Sequence, residues 1–347
     1  MNKQRNYSMD IWRFCAALCV IVCHVDFLKE APAEVYQLAA RYLPRVSLPF
    51  FFAISGYYYI NALLGGKKVF KKQVLSLLKV YACWTVIYYA ASFVMNIVVE
   101  KGDIKTFLIQ RVVFFFIHGS YSHFWYFTAM IYTIIIVTIL YKLFGKKGLK
   151  VLTIISLPLF IMANLGSAYY PLGMQIPVIS DFVSNRDVYE VIRGIFFMSL
   201  PYFLIGYILI ELSESIEKLS SKALGIMLGV DVIFYLVECY LLAYVLKWWD
   251  YPEVILTLYP STILIMILLI RNPKPEWKTY APTLKRLSGY MYYVHPLCIM
   301  VLGAVEQIFS VCIPSVLAYV LIVGFAISTG MILMSMSRKF KWISNFI

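Results

Sequence analysis

The sequence predicts an all-α, polytopic membrane bundle of about ten transmembrane helices with both termini cytoplasmic, and three observations carry that prediction. Of the 347 residues, 62% are hydrophobic and only 14% charged, more apolar surface than one soluble core can bury. The apolar residues gather into stretches near the length that spans a hydrocarbon core, roughly 20 residues, since each backbone group must be satisfied within its own helix. Basic residues are dense in every second connecting segment, as expected where Lys and Arg are retained on the cytoplasmic side.

Taken in order, the spans are expected at about 9–28, 44–64, 73–99, 123–144, 149–166, 190–210, 223–246, 252–270, 287–309 and 314–336. The first has no small-residue cleavage site behind it and is too long for a signal-peptide core, so it is expected to stay in the mature protein. The segment after the second span carries Lys67, Lys68, Lys71 and Lys72, and that between the fourth and fifth, helix ends included, carries Lys142, Lys146, Lys147 and Lys150. Between spans, "IKTFLIQRVVFFFIHG" is apolar but broken by Gln110 and Arg111, which suits an interfacial or re-entrant helix whose basic side snorkels. The stretch 167–189 contains Pro171, Gly173 and Pro177 and reads as an irregular outer loop. No soluble domain and no solenoid repeat is expected; residues 1–347 read as a single integral-membrane domain.

With the N-terminus placed inside, 20 of the 31 basic residues fall on inner segments, 8 on outer loops, and Arg13, Lys79 and Arg193 within spans. The net charge of +13 then reflects topology and contact with membrane lipids, and no nucleic-acid module is present. The seven cysteines are odd in number and form no CxxC pair, which argues against a disulfide framework or a zinc site; no metal is expected. Cys15, Cys19 and Cys23 share one stripe and suit close helix packing.

The polar residues inside the apolar runs point to chemistry. "DIWRFCAALCVIVCH" (10–24) carries Asp10, Arg13 and His24. Eleven residues at about 100° each put Arg13 and His24 on one face, about 16 Å apart along the axis. Asp10 sits one turn before Arg13 and can pair with it. An intramembrane charge costs roughly 2.5–3.5 kcal/mol on insertion scales and persists where it faces protein or water. The alternative is an interfacial Arg13–Asp10 ion pair and a His24 that only bonds a neighbouring helix.

"DIWRFCAALCVIVCH", followed by "RVSLPFFFAISGYYY" (45–59), "HFWYF" (123–127) and "LSGYMYYVHPL" (287–297), resembles the acyltransferase-3 family of integral-membrane O-acyltransferases. The resemblance runs along essentially the whole chain. It implies transfer of an acyl group, usually acetyl, from cytoplasmic acyl-CoA to a hydroxyl of a cell-surface glycan or a lipid-linked envelope precursor. It places the family's essential arginine and histidine on Arg13 and His24, and its Ser-Gly-aromatic element on Ser55, Gly56 and Tyr57. The arginine pair that many members carry at the start of the third helix falls on Gln73 and Ser76. "RGIFFMSLPYFLIGY", with the first, second and fourth-span motifs, is also similar to the membrane half of the membrane-bound serine racemases of vancomycin resistance, which implies a bundle that transports or binds an amino acid.

The residue chemistry fits the first of these. Arg13, with Lys71, Lys72 and Lys79, would bind the phosphates of acetyl-CoA, guanidinium groups doing so bidentately. His24 would take the acceptor's proton, and Ser55, Tyr57 or Trp125 would donate to the oxyanion. His295 is a further catalytic candidate, or else satisfies a turn opened by Pro296. His123, Trp125, Tyr126 and Arg193 are expected to contact the acceptor, or to belong to an interfacial belt. Ser55 and Gly56 equally suit a tight helix contact.

Overall fold

The computed structural model describes residues 5–94, 103–249 and 253–347. The described residues are helical throughout their ordered elements, without strands: α1 (Tyr7–His24), α2 (Ser47–Leu64), α3 (Phe70–Phe93), α4 (Ile104–Phe116), α5 (Trp125–Leu165), α6 (Arg186–Glu211), α7 (Ser221–Leu246), α8 (Leu258–Arg271), α9 (Ala281–Phe309) and α10 (Ser315–Lys339). Among the described residues eight helices are long and apolar enough to cross a membrane, and α8 is a shorter apolar helix. α5 counts twice. At Gly145 the backbone takes φ 58°, ψ −145°, and a Cβ on Gly148 would lie 2.6 Å from the Leu140 carbonyl oxygen, so the chain doubles back. That region of φ/ψ is essentially reserved for glycine. The fourth and fifth expected spans are therefore the two limbs, 125–144 and 146–165. The chain is a multi-pass membrane protein.

Three expectations need correction. The eighth span begins at Leu258 rather than 252, because the residues before it are bound to other elements. The Glu238 carboxylate accepts from the backbone N–H groups of Leu256 (2.7 Å) and Thr257 (2.8 Å), and Ser167 Oγ accepts from those of Glu253 and Val254. The loop 167–189 is not irregular: Pro171 and Pro177 stand in the first turns of short helices, Tyr170–Gly173 and Pro177–Ser184, where a missing N–H costs nothing. Arg111 in α4 lies over the Phe107 ring at 4.7 Å. Cys15, expected in a packing stripe, is exposed. Lys3, Lys101 and the expected span ends 95–99 and 252 lie outside the described residues.

The core is built from two pairs, α2 on α6 and α1 on α9, joined where α1 packs on α2, with α5 against α6. The first is a backbone-to-backbone crossing. A Cβ on Gly56 would come 1.9 Å from the Phe203 carbonyl oxygen, and one on Gly206 would come 2.2 Å from the Tyr57 nitrogen. Gly56 thus has the close helix contact among its expected roles. α7 and α10 lie at the periphery and expose most of their apolar residues.

Contacts at the helix ends keep the predicted inner and outer segments apart. At one end Asn6 Nδ2 donates to the Leu269 carbonyl (2.6 Å), Lys146 lies 3.7 Å from Glu211, and Arg286 Nη2 donates to Ser337 (3.2 Å). At the other, Ser315 N donates to Glu30 (2.8 Å), Lys247 to Glu34 (3.2 Å), and Tyr42 Oη to the Trp248 carbonyl (2.6 Å).

Candidate functional site at the two ends of α1

α1 starts where Asn6 caps it, its side chain accepting from the Met9 N–H at 3.1 Å. One turn in, Asp10 is 2% exposed, a carboxylate that must be paired to stay there. It is held between two guanidinium groups, Arg5 at 2.8 Å and Arg13 at 2.9 Å, which bears out the expected Asp10–Arg13 pair as geometry. Arg13 also lies over the Tyr58 ring at 5.7 Å. Tyr58 opens onto a cavity of about 630 Å³, whose wall includes Asn6, Tyr57, Asn61, Lys67 and Arg271. Arg271 Nη1 is buried there without a hydrogen-bond partner among the described residues.

The far end of α1 is different in kind. His24, accessible in its cavity, shares about 110 Å³ with Cys23, Arg45, Ser47, His123, Trp125, Arg193, Glu253 and Tyr292. His295 stands behind it, fully buried, with ring centroids 5.1 Å apart, and His123 lies 5.3 Å from His295. Three of the chain's four histidines thus converge. His295 Nδ1 is 3.1 Å from the Met291 carbonyl oxygen. A neutral ring makes that bond only with its proton on Nδ1, leaving a lone pair on Nε2, which has no partner among the described residues. Both nitrogens of His123 are buried, with no partner at hydrogen-bonding geometry among the described residues. Among the described residues no cluster of His, Cys, Asp and Glu has metal-holding geometry.

Arg193 is 7% exposed and starts a π-helical turn of α6, an arrangement frequent at functional sites. It is clasped by Glu190 and Glu253 and lies over the Trp125 ring at 5.8 Å. Glu253 lies in the loop before α8, and Arg193 beside it holds its carboxyl below the usual carboxylate range.

Between the two ends runs a file of hydroxyl groups. Ser55 Oγ donates to the Phe51 carbonyl (2.8 Å), and the Tyr126 ring lies 4.7 Å from that of Phe52 on the same helix as Ser55. The ring of Tyr126 lies 5.6 Å from that of Tyr292, whose hydroxyl donates to the His123 carbonyl at 2.5 Å. With its proton on Phe51, Ser55 has none to offer an oxyanion in this arrangement.

The residues singled out in the sequence therefore fall into three places. His24, His123, Trp125 and Arg193 line the outer cavity with His295 behind, Tyr126 and Ser55 lie midway, and Arg13 and Tyr57 flank the inner cavity. Lys71, Lys72 and Lys79 do not join Arg13: all three are exposed along α3, and its cationic neighbours are Arg5 and Lys285. Gln73 and Ser76 lie on the same helix. Arg45, Glu253 and Tyr292 at the outer end, and Lys67 and Arg271 at the inner, were not anticipated as site residues. Arg45 carried one signal, standing first in "RVSLPFFFAISGYYY"; Glu253 carried none.

Comparison with known proteins agrees with the motif order. The chain is similar to an amino-acid racemase of Enterococcus faecalis, 25% identical over 348 residues, 98% of this chain and 47% of the relative. It is similar also to a serine/alanine racemase of Enterococcus gallinarum, 26% identical over 357 residues, again 98% and 47%. The chain spans about half the length of these curated relatives. No solved structure matches it. A family profile described as an acyltransferase domain matches residues 6–335, nearly the whole chain, and the chain belongs to the acyltransferase-3 family.

Proposed function

We propose that the chain is a multi-pass O-acyltransferase of the cell membrane, with N- and C-termini cytoplasmic, that moves an acetyl group from cytoplasmic acetyl-CoA to a hydroxyl of a cell-surface glycan or lipid-linked envelope precursor. One observation carries it: a single helix bears a cationic cluster beside the larger cavity at one end and a histidine in the smaller cavity at the other, with hydroxyl groups between them. The charge bias of the loops supports a cytoplasmic first end. There Arg13, Arg5, Lys67 and Arg271 meet the donor's phosphates, and its extended thiol arm follows Ser55 and Tyr126 outward.

At the outer end His24 accepts the acceptor's hydroxyl proton as that oxygen attacks the thioester carbonyl. The Trp125 N–H stabilises the oxyanion. Collapse breaks the carbon–sulfur bond, and the proton held by His24 leaves with the CoA thiolate, so the products are an ester and CoA thiol. His295, with Nε2 unprotonated, lies behind His24 and orients it. Tyr57 and Tyr126 line the donor's path, and His123 and Arg193 frame the acceptor.

The second reading, a bundle that transports or binds serine, is supported by the racemase names of the relatives matched along 98% of this chain. The two are separated by purified protein in liposomes given labelled acetyl-CoA. Label transferred to an acceptor, lost in His24→Ala, supports the enzyme. Labelled serine entering the liposomes, with no CoA released under any condition, would replace it.

A further inference from the structure

The wall of the outer cavity contains two guanidinium groups and one carboxylate, and that carboxylate is bonded to only one of them, though its charge also reaches the other. Arg193 is held by Glu190 and Glu253, and Glu253 is the only carboxylate in the described cavity wall. Arg45 lies in the same wall as His24 and has no ion pair among the described residues. Among the described residues its one hydrogen bond runs from Nε to the Arg41 carbonyl at 2.7 Å. Asp26, the other acid near His24, accepts from the Tyr36 hydroxyl at 2.8 Å, and Arg41 adds a further positive charge from behind.

The backbone that bears Arg45 is fastened on each side. Tyr42 Oη donates to the Trp248 carbonyl, Tyr235 Oη donates to the carbonyls of Tyr42 (3.1 Å) and Leu43 (3.3 Å), and Ser47 Oγ donates to that of Pro44 (2.8 Å). With the turn fixed and Nε anchored, the guanidinium plane is set before any ligand arrives. Its two Nη groups remain as a fork, which matches a carboxylate or a phosphate in a bidentate pair. About 110 Å³ admits the hydroxyl-bearing edge of an acceptor and one adjoining group, not an oligosaccharide.

We infer that Arg45 is the specificity-determining residue of this cavity and that the acceptor is anionic, its hydroxyl carried on a unit that also bears a carboxylate or a phosphate. The inference rests on the reading of the outer cavity as the acceptor site. The test uses the full chain in lipid nanodiscs and two matched pairs of probes, methyl glucuronide against methyl glucoside for the carboxylate and glycerol 3-phosphate against glycerol for the phosphate. Binding is measured first by equilibrium dialysis without donor, then transfer from labelled acetyl-CoA.

The expected result is a preference of about tenfold or more for the charged member of one pair, the scale of a bidentate charged contact, and that pair names the anion. Arg45→Gln should bring the charged-to-neutral ratio close to one, and Arg45→Lys should keep part of it. A wild type that binds both members alike overturns the inference. So does an Arg45→Gln variant that keeps the ratio or loses both members equally. Binding preference that depends on Arg45, without any transfer, sustains the anion site and removes the acyltransferase reading instead.

Discussion

At its first turns α1 presents charges that are partnered almost in sequence order, Arg5, Asp10 and Arg13, beside a cavity of about 630 Å³. At its last residue it presents His24 in about 110 Å³, against groups brought from the segment before α2 and from α5, α6, α9 and the loop before α8. The inner cluster is local, and losing one member leaves the others near where they were. The outer one exists only through long-range packing. Substitutions at the inner end should therefore give graded losses in donor binding, and those at the outer end should remove chemistry.

The largest effect that would test this difference is His24→Ala. Loss of a general base costs typically 10²–10⁴-fold. Single-turnover transfer should fall by that order, while the donor dissociation constant, measured by equilibrium binding, stays within about twofold of wild type. A matching fall in donor affinity would mean the two ends do not divide the work.

Gly56→Ala comes next and strikes both ends together, because the added Cβ meets the Phe203 backbone at 1.9 Å and must push α2 off α6. Overpacking costs typically about 1–3 kcal/mol, and backbone has no rotamer with which to yield. The midpoint of thermal unfolding in detergent should drop, with donor binding and transfer lost in parallel; transfer lost at an unchanged midpoint would give Gly56 a role beyond packing.

Arg13→Ala should be milder. Asp10 keeps Arg5 as a partner, so no buried charge is stranded, and the expected change is about a tenfold rise in donor dissociation constant, the scale of one charged bidentate contact. Arg13→Lys should fall between, an ammonium lacking the planar fork.

The same contrast explains what could be read from the sequence. Helix positions followed from apolar runs and Lys/Arg asymmetry, and the reversal at Gly145 falls in the gap between the fourth and fifth expected spans. Asp10 and Arg13 were legible as a pair because one helical turn separates them. His24 and His295 were each singled out as polar residues in apolar helices, yet their 5.1 Å approach depends on how α1 lies on α9, which no local pattern encodes. Glu253 was invisible for the same reason: its place beside Arg193 is set by the bonds of Ser167 and Glu238 to its loop. Where partners are close in sequence the site was readable, and where the tertiary fold supplies them it was not.

The smallest effect concerns the lysines that the sequence favoured. Lys71, Lys72 and Lys79 lie at i, i+1 and i+8, spread over a helix surface that is exposed at all three. Exposed charges beyond direct contact are screened within about 10 Å at ordinary ionic strength. The triple alanine variant should therefore change the donor dissociation constant by less than about twofold at 0.15 M salt, against the tenfold of Arg13→Ala. At 0.01 M salt, where screening reaches about 30 Å, a modest effect should emerge, because long-range attraction of an anionic donor then extends from α3 to the inner cavity. A tenfold loss at 0.15 M would instead put the donor's phosphates on α3, and the inner cavity beside Tyr58 would lose its assignment.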